Sequence, residues 1–491
     1  MSRFVGSSHL TVELLNQATV TPEQEPVRLK SGKLLRPKVT PVQVYQIRAN
    51  GVRLPVQIVR NAGLYSVRTE VEQVANYPVN RVKLRNHQEE TLKLCLAKLK
   101  QYSTLLIKFP PGYGKTIMSM TLWRFIRMRV VVLINRTTLV SSWKNTVHLC
   151  FGDTDPSKRP VSVWVVGEDQ PPVDSLPDVI ICMVQRVDQI PPSVQEQIGM
   201  VIVDEGHLFC TASHVHALTL FQPNFVLVAT ATPYRDNGME KMLDMFVHPE
   251  SWVRIGSRRP YFVNVVHTDI NLDSLCIQSG SEATFGNKYS LAHQCPERNQ
   301  LILDLIGQAY RSGKKCMVLS TTTDHIDTLS QGVPQIDSKI TFSCYYKSIK
   351  NCGNYDVLLG TVPKVGTGFD EAMTCRDFDG IKSNVLILCT SVKSVGLFEQ
   401  LIGRVMRSEA PHIVILMDDD RLPQNHLRGL ESYIESSNGV IQHFFVNKMK
   451  IQKNLFRNMS PQDKLAILGD RSIRIDFTRA RPMSGPEYIY E

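Results

Sequence analysis

Five consecutive residues, Gly112-Tyr113-Gly114-Lys115-Thr116, stand between the apolar triplet Leu105-Leu106-Ile107 and a helix-like stretch from Ile117 to Phe125. Glycines at such a junction let backbone N–H groups approach phosphate oxygens. A lysine beside them reaches the outer phosphates, and a threonine hydroxyl can ligate Mg²⁺. The run therefore reads as a phosphate cradle built from Pro111, Gly112, Tyr113, Gly114, Lys115 and Thr116, although Phe109 occupies the place where such loops usually begin with glycine. A second group, Asp204-Glu205-Gly206-His207, follows the apolar Val201-Ile202-Val203. A carboxylate at the carboxyl end of a buried strand near a phosphate loop is where a nucleotide-bound Mg²⁺ is held. That assigns Asp204, with Thr116, to the metal, mostly through water, and Glu205 to orienting and deprotonating an attacking water. Alone, an Asp-Glu pair is an ordinary solvated strand end. Its position downstream of the loop gives it chemistry.

These groups need a parallel sheet to hold them. Leu105 to Ile107, Val130 to Ile134, Val161 to Val166, Val179 to Met183, Val201 to Val203 and Val226 to Val228 are short apolar runs with room for crossover helices between them, the pattern of an α/β unit. A second series runs through Cys316 to Leu319, Ile340 to Phe342, Val357 to Leu359, Val385 to Leu388 and Ile413 to Leu416. Before them, Val42 to Ile47 and Arg53 to Val59 alternate around the turns Asn50-Gly51 and Asn61-Ala62-Gly63, so residues 1–83 read as a small β-rich domain. The expected order is a basic β-rich domain at 1–83, an α/β domain at 84–250, a linker with a few strands at 251–295, a second α/β domain at 296–420 and a basic, mostly helical extension at 421–491.

Composition narrows the class. The chain has 491 residues, 43% hydrophobic and 21% charged, which is a globular balance. Apolar runs such as Val130 to Ile134 are far too short to span a bilayer, and no secretory leader is evident in the sequence. Eleven scattered cysteines without a Cys-x-x-Cys pair argue against a disulfide framework or zinc ribbon and for a reducing, intracellular compartment. The net charge of +10 is concentrated at the flanks. Residues 1–83 hold twelve Lys/Arg against five Asp/Glu, and residues 421–491 hold eleven against seven. Basic flanks of this kind suit a polyanion such as nucleic acid, or serve solubility.

Taken in order, the phosphate loop, Asp-Glu-x-His, Thr230-Ala231-Thr232-Pro233 and Gln400-Leu401-Ile402-Gly403-Arg404-Val405-Met406-Arg407 resemble motifs I, II, III and VI of superfamily 2 helicases of the DExH type. Leu84 to Gln88 resembles the adenine-recognition motif, Asn135 to Trp143 motif Ia, Val318 to Thr321 motif IV, and Thr361 to Asp370 motif V. The resemblance spans about Leu84 to Ser408. It implies two RecA-like domains with ATP and Mg²⁺ in the cleft between them, Gln88 reading the base, and Gln400, Arg404 and Arg407 completing the catalytic set. Arg404 and Arg407 are expected one turn apart on one helix face. Thr230 and Thr232 are expected to couple motif II to domain closure by bonding His207 or backbone. Asp370 is expected near the ribose or Arg404, and Thr361 and Gly366 near nucleic-acid phosphate.

Finer details, Phe109-Pro110-Pro111-Gly112, Tyr234-Arg235-Asp236 and Gly366-Thr367-Gly368-Phe369-Asp370, look more like the DNA-acting transcription/repair helicase branch and its phage and large-DNA-virus relatives. Poxvirus-type transcript-release helicases are a good match in length and motif spacing. That resemblance implies DNA rather than RNA as partner, RNA polymerase or other transcription machinery as a possible second partner, and a virion or host-cell location. An RNA-directed helicase and a duplex-translocating remodelling ATPase remain the alternatives. His214 and His216 lack a third ligand at metal spacing and read as ordinary histidines. Asp418-Asp419-Asp420 reads as a strand cap or a solvated strand end. Phe444, Phe445 and Phe456 read as apolar helix positions rather than base-stacking platforms.

Overall fold

The computed structural model describes residues 1–23, 27–28, 34–35, 39–64, 81–110, 112–152, 160–170, 175–231, 237–257, 259–349, 351–366, 369–446, 473–482 and 488–490. Two compact units divide the chain: Met1–Gly256 with Tyr490–Glu491, and Ser257–Ile489.

The first unit is built on parallel strands β1 (Thr104–Lys108), β2 (Val130–Ile134), β3 (Val163–Val165), β4 (Val179–Met183), β5 (Met200–Asp204), β6 (Phe225–Thr230) and β7 (Trp252–Ser257), in the spatial order β3-β4-β2-β5-β6-β1-β7. Every residue of β2 and β5 is buried, which is why these strands are continuous apolar runs rather than alternating ones. Helices α1 (Asn86–Tyr102), α2 (Lys115–Ile126) and α3 (Thr138–Phe151) precede or connect the strands at the site's end of the sheet. Because all strands run the same way, the residues after β1, β5 and β6 emerge on one edge. Register does the rest: Lys108 pairs with Thr230 and Asp204 with Ala229, so the end of β6 lies between the loop after β1 and the carboxylates after β5.

The amino-terminal part of this unit is an antiparallel sheet of Ser2–Gly6, Gly51–Pro55 and Gln46–Arg48. Residues 53–59, expected as one strand, change at Pro55: Val56–Asn61 is a helix that buries Val56, Ile58 and Val59. Its basic side chains are partly used internally. Arg3 donates to Pro223 O at 2.7 Å, Arg53 to Leu220 O at 2.5 Å, and Arg60 to Tyr102 O.

The second unit has strands β8 (Tyr261–Asn271), β9 (Cys316–Ser320), β10 (Phe342–Tyr345), β11 (Val357–Thr361), β12 (Val385–Leu388), β13 (His412–Asp419) and β14 (Gly439–Phe445), all parallel, in the order β10-β11-β9-β12-β13-β8-β14. Residues 251–295, expected to link the α/β domains, thus supply an eleven-residue strand inside the second sheet. Two of its buried polar side chains bond the neighbouring strand: Asn264 donates to His412 Nδ1 at 3.3 Å and Thr268 to Asp418 Oδ1 at 2.8 Å. The extension after Asp420 starts with helix α5 (Arg421–Ser436), as expected, and then returns to the sheet as β14. Phe444 and Phe445 therefore sit on a strand, not a helix. Phe456 lies outside the described residues. Ile473, Ile475 and Phe477 pack into the core of this same unit, and Gln308 clamps them by donating to Ile473 O and accepting from Ile475 N.

Asp418 is the largest departure from a solvated strand end. It is fully buried, takes two hydrogen bonds from the Arg298 guanidinium at 3.0 Å each, and accepts a third from Thr268. Asp420 does act as a cap, accepting from Leu422 N at 2.7 Å, and it also pairs with Lys288.

Candidate nucleotide site and its coupling elements

The loop after β1 turns on two glycines in the left-handed region, Gly112 (φ 84°) and Gly114 (φ 101°), where a side chain is strained. At Gly114 a Cβ would also approach Gln88 Nε2 to 2.9 Å. Phe109, in place of the usual glycine, is buried and packs its ring 4.7 Å from Tyr113, so the loop is braced by aromatic contact. Tyr113 in turn bonds the Thr91 hydroxyl at 2.6 Å. Lys115 begins α2, and its ammonium donates to Phe109 O at 3.3 Å, lying over the loop's own concavity. Thr116 follows on the first turn, where the helix N-terminus favours anions. Pro111 lies outside the described residues.

Gln88 is placed differently from a free base reader. Its Oε1 accepts from Arg85 N at 2.9 Å, and its Nε2 donates to Tyr113 O at 2.5 Å, so the amide holds the phosphate loop to the start of α1.

Asp204 ends β5, and its Oδ2 accepts from the Trp143 indole N–H at 2.8 Å. Burial, and next the neighbouring Glu205 carboxylate, push the Asp204 carboxyl up to about 6, while Trp143 and the Lys115 ammonium pull it down. A buried carboxylate with a cation nearby and a like charge beside it suits a divalent cation. Glu205 sits in the left-handed region at φ 51°, a conformation costing about 1–2 kcal/mol for a residue with a side chain. Gly206 is required next, because a Cβ there would lie 2.2 Å from Val228 Cγ1.

Thr230 ties these parts together. Its N–H···O partner is the loop itself, with Phe109 N donating to Thr230 O at 3.2 Å. Its hydroxyl donates to Glu205 Oε2 at 3.3 Å and lies 2.9 Å from His207 Nδ1. Since the single hydroxyl proton goes to Glu205, the imidazole Nδ1–H is the donor to Thr230. One threonine thus joins the phosphate loop, the acidic pair and His207. Thr232 lies outside the described residues.

In the second unit, helix α4 (Val395–Ile402) carries Gln400 and stops before Gly403. Arg404 and Arg407 follow in the turns beyond it, not on one helix face, and they have different partners. Arg404 donates to Phe369 O at 2.6 Å and Gly366 O at 2.8 Å, holding the main chain of the segment after β11. Arg407 pairs with the Asp370 carboxylate, so Asp370 meets Arg407 rather than Arg404. Burial pushes the Asp370 carboxyl up, and the Arg407 guanidinium, with the Lys382 ammonium and the Ala372 N–H, together more than reverse this, leaving it below its usual value. Asp370 also caps a short helix, Glu371–Thr374, by accepting from Ala372 N at 3.0 Å. Thr361 ends β11 and is nearly buried, and Gly366 closes the next helical turn against Leu397 and Leu401. Thr367 and Gly368 lie outside the described residues.

Sequence reasoning assigned no role to Trp143, 61 positions from its carboxylate partner, although it marks the end of the Asn135 to Trp143 segment. His214 and His216 bond Leu208 O and Asp188, and among the described residues no group of three or more His, Cys, Asp or Glu is arranged to hold a metal ion.

Residues 81–235 match the family described as "Type III restriction enzyme, res subunit", which covers the phosphate loop, the acidic pair and Thr230. The putative helicase 161L of Invertebrate iridescent virus 6 is 26% identical over 382 residues, 74% of this chain and 83% of that protein. These matches, with the motifs in their order, support a superfamily 2 helicase. An archaeal relative, the DNA 3'-5' translocase XPB2 of Sulfurisphaera tokodaii, is 23% identical over 198 residues, 39% of this chain and 42% of that protein. Among solved structures, the ATP-dependent Type ISP restriction-modification enzyme LlaBIII bound to DNA aligns with a TM-score of 0.51 at 14% identity. That alignment covers 80% of this chain but spans only 33% of the restriction enzyme, and it bears on the fold of the two α/β sheets. No helix among the described residues is long and apolar enough to cross a membrane.

Proposed function

We propose that this chain is an ATP-dependent translocase or helicase acting on DNA, in transcript release or in repair. The observation that carries the reading is Thr230. It contacts the phosphate loop through its carbonyl, and the residues of Asp-Glu-x-His through its hydroxyl, so a change at either is felt at the other. The donor set fits a nucleotide with Mg²⁺. Two glycines open the loop and a lysine overlies it, with a threonine hydroxyl on the first turn of α2 and a buried carboxylate at the end of β5. When bound, the nucleotide supplies the phosphoryl group whose transfer to water drives the cycle.

Lys115 and the loop N–H groups would bind phosphate, and Thr116 and Asp204 would hold the metal. Trp143 would keep Asp204 oriented, and Glu205 would take the proton of the attacking water. In the second unit, Arg404 is committed to two main-chain carbonyls and positions the segment from Gly366 to Asp370. Arg407 holds only a partly exposed carboxylate and is the arginine free to exchange that partner for phosphate. Gln400, on the helix before them, would order the attacking water. Thr361 and Gly366 would face the nucleic-acid backbone, so binding should be sequence-tolerant and salt-dependent.

The DNA direction is supported by the DExH-type motif details and by the archaeal translocase named above. RNA polymerase is the second partner the transcript-release reading implies. The test is ATP hydrolysis without nucleic acid and with single-stranded DNA, duplex DNA or RNA, alongside Lys115→Ala and Glu205→Gln. DNA stimulation abolished in both variants is expected. Stimulation by RNA alone would move the chain to RNA-directed helicases. Variants that match the wild type would overturn the site.

A further inference from the structure

We propose that Cys352 and Cys375 form a reversible disulfide, a modification site that ties down the segment between β11 and Asp370. Their Sγ atoms lie 2.9 Å apart. The backbones are already registered: Cys352 and Cys375 form a parallel bridge, Cys352 N donates to Thr374 O at 3.1 Å, and Arg376 N donates to Cys352 O at 2.8 Å. A disulfide needs its sulfurs about 2.05 Å apart with a Cβ–Cβ separation near 3.8 Å, so this pair closes with little main-chain movement. The surroundings are fixed as well. Glu371 accepts from the Tyr355 hydroxyl at 2.7 Å and from Ser383 N and Oγ at 3.0 and 2.7 Å, clamping both cysteine-bearing segments to one buried carboxylate.

The pair is distinct among the eleven cysteines. All described cysteines are free thiols, and most are sealed in the strands and helices of the two cores. Cys352 and Cys375 are 5% and 7% exposed, lie in loops rather than in the main sheets, and face each other. Such a site suits thiol–disulfide exchange with a small-molecule disulfide, for which oxidised glutathione is the probe. One thiolate attacks a glutathione sulfur, forming a mixed disulfide and releasing one glutathione thiolate. The second cysteine thiolate then displaces the other glutathione. Two protein thiols and one small disulfide become one protein disulfide and two small thiols, so electrons and protons balance. In a reducing compartment a bridge of this kind forms on oxidation and reverses when thiols return.

The bridge closes a ring from Cys352 to Cys375 that contains Thr361, Gly366 and Asp370. If those residues act as proposed above, and this consequence rests on that reading, the oxidised chain holds the partner of Arg407 in place and slows any cycle that must move it.

The experiment incubates the full chain with oxidised glutathione, then counts thiols in denaturant and maps the linked peptides. The expected result is a fall from eleven thiols to nine, a Cys352–Cys375 linked peptide, full reversal by dithiothreitol, and no intramolecular linked peptide in Cys375→Ser. The bridge should also raise the thermal midpoint of the second unit by about 5 °C or more. A count that stays at eleven, a stable mixed disulfide on one cysteine, or linkage through other cysteines would overturn the site, whatever the chain's activity. A bridge that forms while nucleic-acid-stimulated turnover stays within about 20% of the reduced protein would overturn its reach to the Asp370 segment.

Discussion

Lowering the pH from 7.5 to 5.5 should destabilise the second unit through two buried histidines. His293 and His325 stack with ring centroids 4.1 Å apart, next to the buried Arg298 guanidinium. His325 Nε2 must carry the proton, because it faces the acceptor-only Asn299 Oδ1 at 2.9 Å. Its Nδ1 then accepts from the Ser320 hydroxyl at 2.8 Å. Burial, followed by the Arg298 charge, lowers His293 to about 3. Burial, followed by His293 and then Arg298, lowers His325 to about 2. As pH falls below the unfolded value near 6.5, the unfolded chain takes up these protons and the folded chain does not. The stabilisation is therefore full above about 6.5 and drains away between there and about 3. At pH 5.5 each histidine withheld from protonation costs about 1.4 kcal/mol, or about 3 kcal/mol for the two.

Urea unfolding of the full chain, followed by far-UV ellipticity and fitted with a separate transition for each unit, reads this loss directly. Other histidines contribute to the total, so the informative quantity is the difference between variants. His325→Gln, which can still donate to Asn299 and accept from Ser320, should reduce the loss on acidification by about 1.4 kcal/mol, and adding His293→Gln by about the same again. If the double variant loses as much stability between the two pH values as the wild type, the two histidines are not held neutral and the reasoning is refuted.

Two further outcomes concern the site. Thr230→Val removes the hydroxyl between His207 and Glu205 while keeping β-branched shape, and should leave unstimulated ATP hydrolysis within about threefold while cutting nucleic-acid stimulation by about tenfold or more, read from steady-state rates with and without DNA. Asp370→Asn keeps the helix cap but weakens the Arg407 ion pair, a partly exposed interaction worth about 0–1 kcal/mol, so the melting temperature should barely move; Arg407→Ala should lower kcat by about 10³-fold, and equal kcat values for the two variants would contradict the assignment.

How much was legible follows from what each element buries. The central strands of both sheets are buried on both faces, so Val130 to Ile134 and Val179 to Met183 announce themselves as unbroken apolar runs with the observed limits. Strand β8 did not, because Asn264, His267, Thr268 and Asp269 interrupt it. Asn264, His267 and Thr268 bond partners far along the chain, at His412, His443 and Asp418. At β14 the run Gly439 to Phe445 is only half covered at the sheet edge, and a polar edge strand resembles an amphipathic helix in one dimension. Val56–Asn61 alternates like a strand but folds as a helix, its local preference overridden by packing.

The phosphate loop, the acidic pair and Thr230 were readable because each sits within a few residues of the strand end that places it. The Trp143 bond to Asp204 and the Arg298 pair with Asp418 were not, since they join residues 61 and 120 positions apart that no local pattern connects. The separate roles of Arg404 and Arg407 likewise depend on a helix that stops at Ile402, one residue before the glycine that ends the regular spacing.

The central claim is that hydrolysis at this site moves the chain along DNA. It is tested most directly by ATP-dependent displacement of streptavidin from the biotinylated end of a single strand, and of a third strand from a triplex on duplex DNA, with Glu205→Gln in parallel. The account is supported by displacement from at least one of these that requires ATP and is lost in the variant. DNA-stimulated hydrolysis with neither block displaced would contradict it.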